Sequence, residues 1–432
     1  DVGITAHKAV DRARELGVDV IITDHHLPAG EIPKAFVVVN PNQSEDQSGL
    51  GYLSGAGVGF FLMRALKRAF TDRKIGTPEK LNLQSLLDCF TVATLTDMVP
   101  LVHDNRVLVQ LGLKQLAQTQ RPGLRALLQA LNLSGKDLNS SDVAIRFAPK
   151  LNALSRLEGD LLPLDLYLLE DRDEADRLVS QVLLQNQERV QLQAEADKEA
   201  LRQAQSQLDQ PCLFVFSENF HRGVIGLIAT SLSQKHQKPS FVASLDPEEG
   251  KLVGSCRLPE DRDSSLVEAL QSVSDKLLRF GGHARAAGFE MSARDLESVR
   301  AGLGQFFQNE VARPQRLFYH ANLELSEFDF EMMNWMQRLE PFGVGFETPL
   351  FLVKAVKVVS VKELKGAHLK VQVSQGGEHQ REGLLFHPSP AQRDLLKLGH
   401  EVDLLVKAQV HEWMGRRGLQ LMIEDVRPAV LS

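Results

Sequence analysis

The chain has 432 residues, 43% of them apolar and 24% charged, and its 49 basic residues against 56 acidic ones give a formal net charge of −7. That length allows roughly two to four domains, and the charge balance excludes a generally basic nucleic-acid coat while leaving room for a local binding groove. Three cysteines, at 89, 212 and 256, cannot make a Cys-only zinc site or a disulfide scaffold; they point to a reducing, cytoplasmic setting, and neither a secretory signal nor eighteen uninterrupted apolar residues occur.

The chain enters at Asp1, directly ahead of a helix that Thr5 is placed to cap and that carries Ala6, Val10, Ala13 and Leu16 at helical spacing. The strand that would deliver the chain to Asp1 is not in the sequence, so the expectation is a domain incomplete at its start. Val18 to Thr23 form a short apolar run ending in Asp24-His25-His26, and Ala35 to Val39 read as a second buried strand before the polar loop Asn40-Pro41-Asn42. This order is the grammar of a parallel α/β sheet. Helices are expected over about 57–70 and 82–97, the second ending at Thr96-Asp97, with a connector and helix over 101–113. Residues 171–208 hold no glycine or proline and predict one helix about 57 Å long at 1.5 Å per residue, connecting two lobes.

A second α/β pattern follows: strands at Leu213–Phe216 and Ser240–Leu245, and helices at Val224–Lys235, 264–278 and 293–309. Beyond a short helical segment at 329–338 come five alternating runs, Phe351–Val361, Leu369–Val373, Gly383–Phe386, Glu401–His411 and Leu419–Val426. Five strands of this length suit a small closed barrel of the oligonucleotide-binding (OB) type. The acidic excess lies before residue 311, and residues 311–432 are charge-balanced.

Asp24-His25-His26 stands just past the carboxyl end of a strand, where open parallel sheets bind ligands. A carboxylate beside imidazoles offers hard oxygen and borderline nitrogen together, which suits Mn²⁺, Zn²⁺ or Mg²⁺. From the residues alone a histidine–carboxylate hydrogen-bonded pair is the lesser reading, and Asp1 and Asp97 are open to roles as N-caps or solvated loop residues. Gly281 to Gly288, around His283, permit close approach of a phosphate or simply make a tight connection. Gly254-Ser255-Cys256-Arg257 adds a hydroxyl and a guanidinium able to grip phosphate with two bonds. On the barrel, Lys365, His368, Lys370, Phe386, Trp413, Arg416 and Arg417 are the candidates for a basic, stacking surface, with barrel packing the other reading of Trp413.

The segments DVGITAH, VIITDHHLP and TLTDMVPLVHDNR resemble motifs of the DHH phosphoesterase superfamily, and APKLNALSRL, RGVIGLIATSLSQKHQKP, GSCR, GGHARAAGF and LEPFGVGFETPLF extend the likeness, in order, to its RecJ family of single-strand-specific 5′→3′ DNA exonucleases. The resemblance implies a DHH domain at 1–165, incomplete at its start, a connecting helix at 166–209, a DHHA1-type domain at 210–312 and an OB-type barrel at 313–432. It implies metal-site roles for Asp1, Asp24, His25 and Asp97, with His25 a direct ligand and His26 supporting the site or the scissile phosphate. Two divalent cations, Mn²⁺ or Mg²⁺, about 3.5–4 Å apart would serve hydrolysis.

His283 would stand at the catalytic cleft, and Arg156, Ser255 and Arg257 at the 5′ phosphate. The family pattern has arginine at 150, glycine at 155 and Asn-Pro after its second hinge glycine, where this chain has Lys150, Ser155 and Phe346-Glu347. The partners implied are single-stranded DNA, a single-strand-binding protein and a helicase, without a membrane, for a monomer acting in recombination and repair. An earlier Asp-x-Asp motif of the family has no counterpart here, so this chain by itself is expected to be weakly active or inactive. The competing readings are a phosphodiesterase of short oligonucleotides and a DHH-derived DNA-binding scaffold without catalysis.

Overall fold

The computed structural model describes residues 2–28, 30–156, 162–311, 313, 317–366, 368–413 and 416–429, with the backbone alone at 412, 413 and 416. In chain order the first elements are α1 (His7–Glu15), β1 (Ile21–Thr23), β2 (Val37–Val39), α2 (Gly55–Arg73), α3 (Leu87–Thr96) and α4 (His103–Ala117). Then come α5 (Pro122–Ala130), α6 (Ala148–Leu154), α7 (Asp165–Leu168) and α8 (Arg172–Gln205). The second α/β pattern is β3 (Leu213–Ser217), α9 (Ile225–His236), β4 (Ser240–Asp246), β5 (Lys251–Arg257), α10 (Leu266–Gln271), β6 (Leu277–Gly282), β7 (Ala286–Ser292) and α11 (Leu296–Phe307). The chain continues through β8 (Ala321–Asn322), α12 (Phe330–Arg338), β9 (Phe351–Leu364), β10 (His368–Gln375), β11 (His379–Leu385), α13 (Pro390–Leu395), β12 (Glu401–Trp413) and β13 (Arg416–Pro428).

These elements form two compact units. One gathers residues 1–119, 135–144 and 317–432; the other gathers 120–134 and 145–316. In the first, β1 and β2 pair in parallel, Ile22 opposite Val38. Ser54 caps α2 by accepting the Gly57 N–H, but Thr5 does not cap α1, whose N-cap is Ala6 with no side-chain bond, and Leu16 is exposed where the helical spacing had placed it inside. The barrel is a closed ring in which β9 pairs with both β10 and β12, β12 with β13, and β13 in parallel with β11. Its strands alternate as the sequence does: in β10, Leu369, Val371 and Val373 are buried while His368, Lys370 and Gln372 are partly exposed on the outer face.

In the second unit β3 to β7 form a mixed sheet of order β3-β4-β5-β7-β6, with β3 and β4 parallel and the other pairs antiparallel. Phe214, Phe241, Phe289 and Phe307 cluster in one core of this unit, where truncating a buried ring such as Phe241 to alanine would cost about 3–5 kcal/mol. Ala196, Ala200 and Ala204 of α8 join a second core with α9. These small side chains recur every fourth residue and let the 34-residue helix lie close to its neighbours.

The helix expected over 264–278 is confined to α10, because Leu277 onward is extended in β6. The glycine-rich 281–288 run makes a tight connection between two strands. Gly281 pairs with Gly288, and His283 and Ala286 exchange backbone bonds across a tight turn from β6 to β7. Its apolar residues fall at spacings that serve strand and helix alike, and pairing with β5 decides for strand. No helix among the described residues is long and apolar enough to cross a membrane.

Candidate functional site

Asp24 leaves the end of β1 and is 1% exposed. Its Oδ2 accepts the Ile4 N–H at 3.0 Å; its Oδ1 accepts the N–H groups of His25 at 2.7 Å and His26 at 3.1 Å and faces the His26 Nδ1 at 2.7 Å. Burial pushes this carboxyl upward, but the bonds from Ile4, His26 and His25 outweigh it and hold the group well below the usual carboxylate range. The histidine–carboxylate pair is thus present, and it belongs to His26. With Nδ1 committed to Asp24, His26 keeps Nε2 as its remaining polar atom on a half-exposed ring.

His25 turns the other way. Its Nε2 lies 3.4 Å from Oδ2 of Asp97, longer than a good hydrogen bond. Asp97 is the C-cap of α3, not an N-cap. A carboxylate at the negative end of a helix is disfavoured by the dipole, so a cation or a charged imidazole beside it relieves the cost.

Two residues passed over as loop in the sequence fix this turn from below. Asn40 donates Nδ2 to the His26 carbonyl at 2.9 Å, and Asn42 donates Nδ2 to the His25 carbonyl at 2.5 Å. The signal was an Asn-Pro-Asn directly after a β-branched strand, which is partly exposed and not the buried strand its apolar run suggests, where a side-chain amide replaces a ladder partner. Asp1 lies outside the described residues. Among those described, no three His, Cys, Asp or Glu side chains converge on one cation position. The donor chemistry nevertheless fits a hard divalent ion: Asp24 Oδ2 accepts the Ile4 N–H with one lone pair and has a second, and Asp97 and His25 set oxygen beside nitrogen.

The second unit brings Arg156, Ser255 and Arg257 together. Ser255 and Arg257 lie on the half-exposed face of β5, and Arg257 donates Nη1 to Ser255 Oγ at 2.9 Å and to the Cys256 carbonyl at 2.8 Å. The first turn of α9 rests on them: a Cβ at Gly226 would stand 3.2 Å from Arg257 Nη2 and 3.4 Å from Ser255 Oγ. Arg156 reaches the same turn, donating to the Gly223 carbonyl at 3.4 Å. Burial draws the Arg257 guanidinium below its ordinary value, Cys256 acts against this, and the charge of Arg156 adds to it. Lys150 is drawn down in the same way by burial and by Arg189 and Arg146.

Lys150, Arg156, Arg189 and Arg257 influence one another as a row of cations, Arg189 acting on Lys150 and Arg156 on both Arg189 and Arg257. Arg189, from α8, was not singled out in the sequence, since one arginine in a charged helix carries no signal. His283 is exposed in its turn; Arg257 pairs with Ala286, so that turn and Arg257 share one end of the sheet.

On the barrel, Lys365 is exposed at the β9–β10 turn. His368 accepts the His387 N–H at 3.2 Å and meets the Phe386 ring edge-on at 4.8 Å. Lys370 is 2.5 Å from Glu382, which also accepts from Gln420. Arg417 lies over the Phe330 ring at 5.9 Å. The side chains of Trp413 and Arg416 lie outside the described residues. The other tryptophan, Trp335 of α12, is 59% exposed with the Arg338 guanidinium 4.4 Å over its ring, an aromatic surface the sequence reading did not select.

Fold and site together define a DHH-type phosphoesterase core joined to a DHHA1 domain and an OB-type barrel. Three family models match accordingly: the DHH family N-terminal domain over 1–94, the DHHA1 domain over 209–309 and the RecJ OB domain over 319–425. The chain is 31% identical over 454 residues to the single-stranded-DNA-specific exonuclease RecJ of Salmonella typhimurium, across 99% of this chain and 76% of that protein. To the exonuclease of the same name from Bacillus subtilis it is 31% identical over 436 residues, across 98% of this chain and 53% of that one. The chain belongs to the RecJ family. A crystal structure of RecJ in complex with Mn²⁺ from Thermus thermophilus superposes with a TM-score of 0.83 at 28% identity, covering 100% of this chain and 61% of that one. The chain therefore spans about half to three quarters of the length of these relatives.

Proposed function

We propose that this chain carries the nuclease core of a single-stranded-DNA-specific 5′→3′ exonuclease of recombination and repair, working in the cytoplasm as a monomer with Mn²⁺ or Mg²⁺. On this reading its domains divide at 1–165, 166–209, 210–312 and 313–432. The observation that carries it is the placement of Asp24 and His25 just past the end of β1 with Asp97 3.4 Å from the His25 Nε2, in a chain whose relatives are named single-stranded-DNA-specific exonucleases.

Asp1, Asp24, His25 and Asp97 are the ligands in this proposal, and the complete site takes two ions. When bound, divalent cations supply a nucleophile at neutral pH and charge compensation for the leaving 3′ oxygen. Asp24 is held ionised and rigid by its four hydrogen bonds. His26, fixed through Nδ1, offers Nε2 to a phosphate oxygen. Arg156, Ser255, Arg257 and the first turn of α9 grip a terminal 5′ phosphate with charge-assisted bonds and backbone N–H groups, with His283 as a further donor. Lys365, His368, Arg417 and, through their basic or aromatic character, Arg416 and Trp413 track the strand beyond; Lys370 contributes where Glu382 releases it. A single-strand-binding protein and a helicase are the partners such an activity calls for.

The test is release of mononucleotides from the 5′ end of phosphorylated single strands with Mn²⁺. His25→Ala and Asp97→Ala should each remove the activity, and blunt duplexes should resist. Cleavage untouched by Asp97→Ala, or confined to dinucleotides, would overturn the reading.

A further inference from the structure

The stretch leaving Asp97 is strained at both ends. Met98 sits at φ 57° and His103 at φ 45°, left-handed conformations that a residue with a side chain keeps only where the surroundings over-determine them. Two kinds of contact do so here. Buried Asn105 donates to the carbonyls of Pro100 at 3.0 Å and Tyr52 at 2.8 Å. Leu101 donates its N–H to the carbonyl of Val344, 2.7 Å away, in the segment that leads into the barrel.

That segment is itself anchored on α4. Arg106 donates to the Leu339 carbonyl at 2.7 Å and lays its guanidinium 4.0 Å over the Phe346 ring. Gln110 donates to the Glu340 carbonyl at 3.2 Å. Gly343 lies so close to Leu101 that a Cβ there would fall 2.7 Å from its Cδ1. Asp97 closes α3 and is followed at once by the strained turn, so its carboxylate stays opposite His25 only while that turn holds its shape.

We propose that Arg106 and the 339–346 segment hold the loop that carries Asp97 in its metal-competent position, so that the entrance to the barrel sets the divalent-cation affinity of the nuclease site. Arg106 is a positioning residue: it acts on Asp97 through Leu339, Phe346 and Val344. The inference rests on the proposed role of Asp97 as a ligand.

The experiment compares the full chain with Arg106→Ala in two measurements: amide hydrogen exchange over 98–105, and the Mn²⁺ concentration for half-maximal hydrolysis of a phosphorylated single strand. Both exchange and Mn²⁺ requirement should rise about tenfold, the size of effect seen when the support of a metal ligand is lost, with KM for DNA unchanged. Arg106→Lys, which can reach one carbonyl but loses the planar stack, should fall between. Gly343→Ala, pressing on Leu101 from the other side, should reproduce the signature if Arg106→Ala does not fold. An unchanged Mn²⁺ requirement with unchanged exchange overturns the proposal, as does a rise in KM for DNA alone. Where cleavage by the chain itself is too slow to follow, calorimetric Mn²⁺ titration gives the requirement; no Mn²⁺ binding by the unmodified chain would instead remove the metal-dependent reading, and the exchange data would still judge the clamp.

Discussion

His26 Nδ1 lies 2.7 Å from Oδ1 of Asp24, while the neighbouring His25 turns its Nε2 toward Asp97. Adjacent imidazoles thus serve two carboxylates. Asp24→Asn puts an N–H₂ against donors on either side, so one bond at least is lost in a buried place. Stability should fall by about 1–3 kcal/mol and Mn²⁺-dependent cleavage should disappear; denaturant melts and a nuclease assay read the two separately. Because the Asp24 carboxyl titrates below its ordinary range, its contribution is full above that range and is lost progressively as pH falls from there through the lowered one. The stability gap between the native chain and the variant should therefore close in acid and stay open at neutrality.

Arg257→Ala should weaken binding of 5′-phosphorylated strands roughly 10- to 100-fold, the worth of a charge-assisted pair, and leave 5′-hydroxyl strands nearly unaffected. Gly226→Ala, which narrows the space beside Arg257 and Ser255, should act in the same direction. Paired titrations with the two kinds of end decide it; equal losses for both ends count against a phosphate site.

Lys365 and Lys370 should behave differently although only five positions apart. Lys370 is engaged by Glu382 and Lys365 is exposed. Removing Lys365 should lower the salt slope of single-strand binding by about 0.7, one released counterion. Lys370→Ala should change it by less. Affinity measured across a salt series gives both slopes.

Burial pushes the Glu340 carboxyl up, against bonds from Phe342 and Ser140, and Asp142 pushes it further in the same direction. An acid raised by folding binds its proton more tightly in the folded state, so stability declines as pH rises from the ordinary glutamate range through the raised one. Glu340→Gln keeps an acceptor for Phe342 and Ser140 and removes the charge. It should flatten that decline, leaving the variant at least as stable as the native chain at neutral pH. Thermal melts from pH 4 to 8 check the sign.

How much of this could be read from residue order depends on the range of the forces involved. The barrel strands were legible because alternation is local: Leu369, Val371 and Val373 show their inward face within one strand. The long helix was legible for the same reason. Asp24-His25-His26 could be placed at a strand end, but which histidine would pair with Asp24 depends on the shape of a turn whose backbone carbonyls are held by the distant Asn40 and Asn42. The start of β6 was read into a helix and β7 was not read at all, because the spacing of their apolar residues serves strand and helix alike and pairing with β5 supplies the decision. The bond from Leu101 to Val344 was invisible, since nothing in either neighbourhood announces the other.

The first unit is assembled from pieces far apart in the chain, and 233 residues separate Arg106 from the Leu339 carbonyl it holds. During translation at roughly 5–20 residues per second, on the order of 10–50 s pass between the emergence of the two. On the clamp proposed above, a nascent polypeptide on the ribosome displays Asp97 on an unbraced loop throughout that interval, and the proposed metal site would take its shape only once synthesis has passed the barrel's entrance.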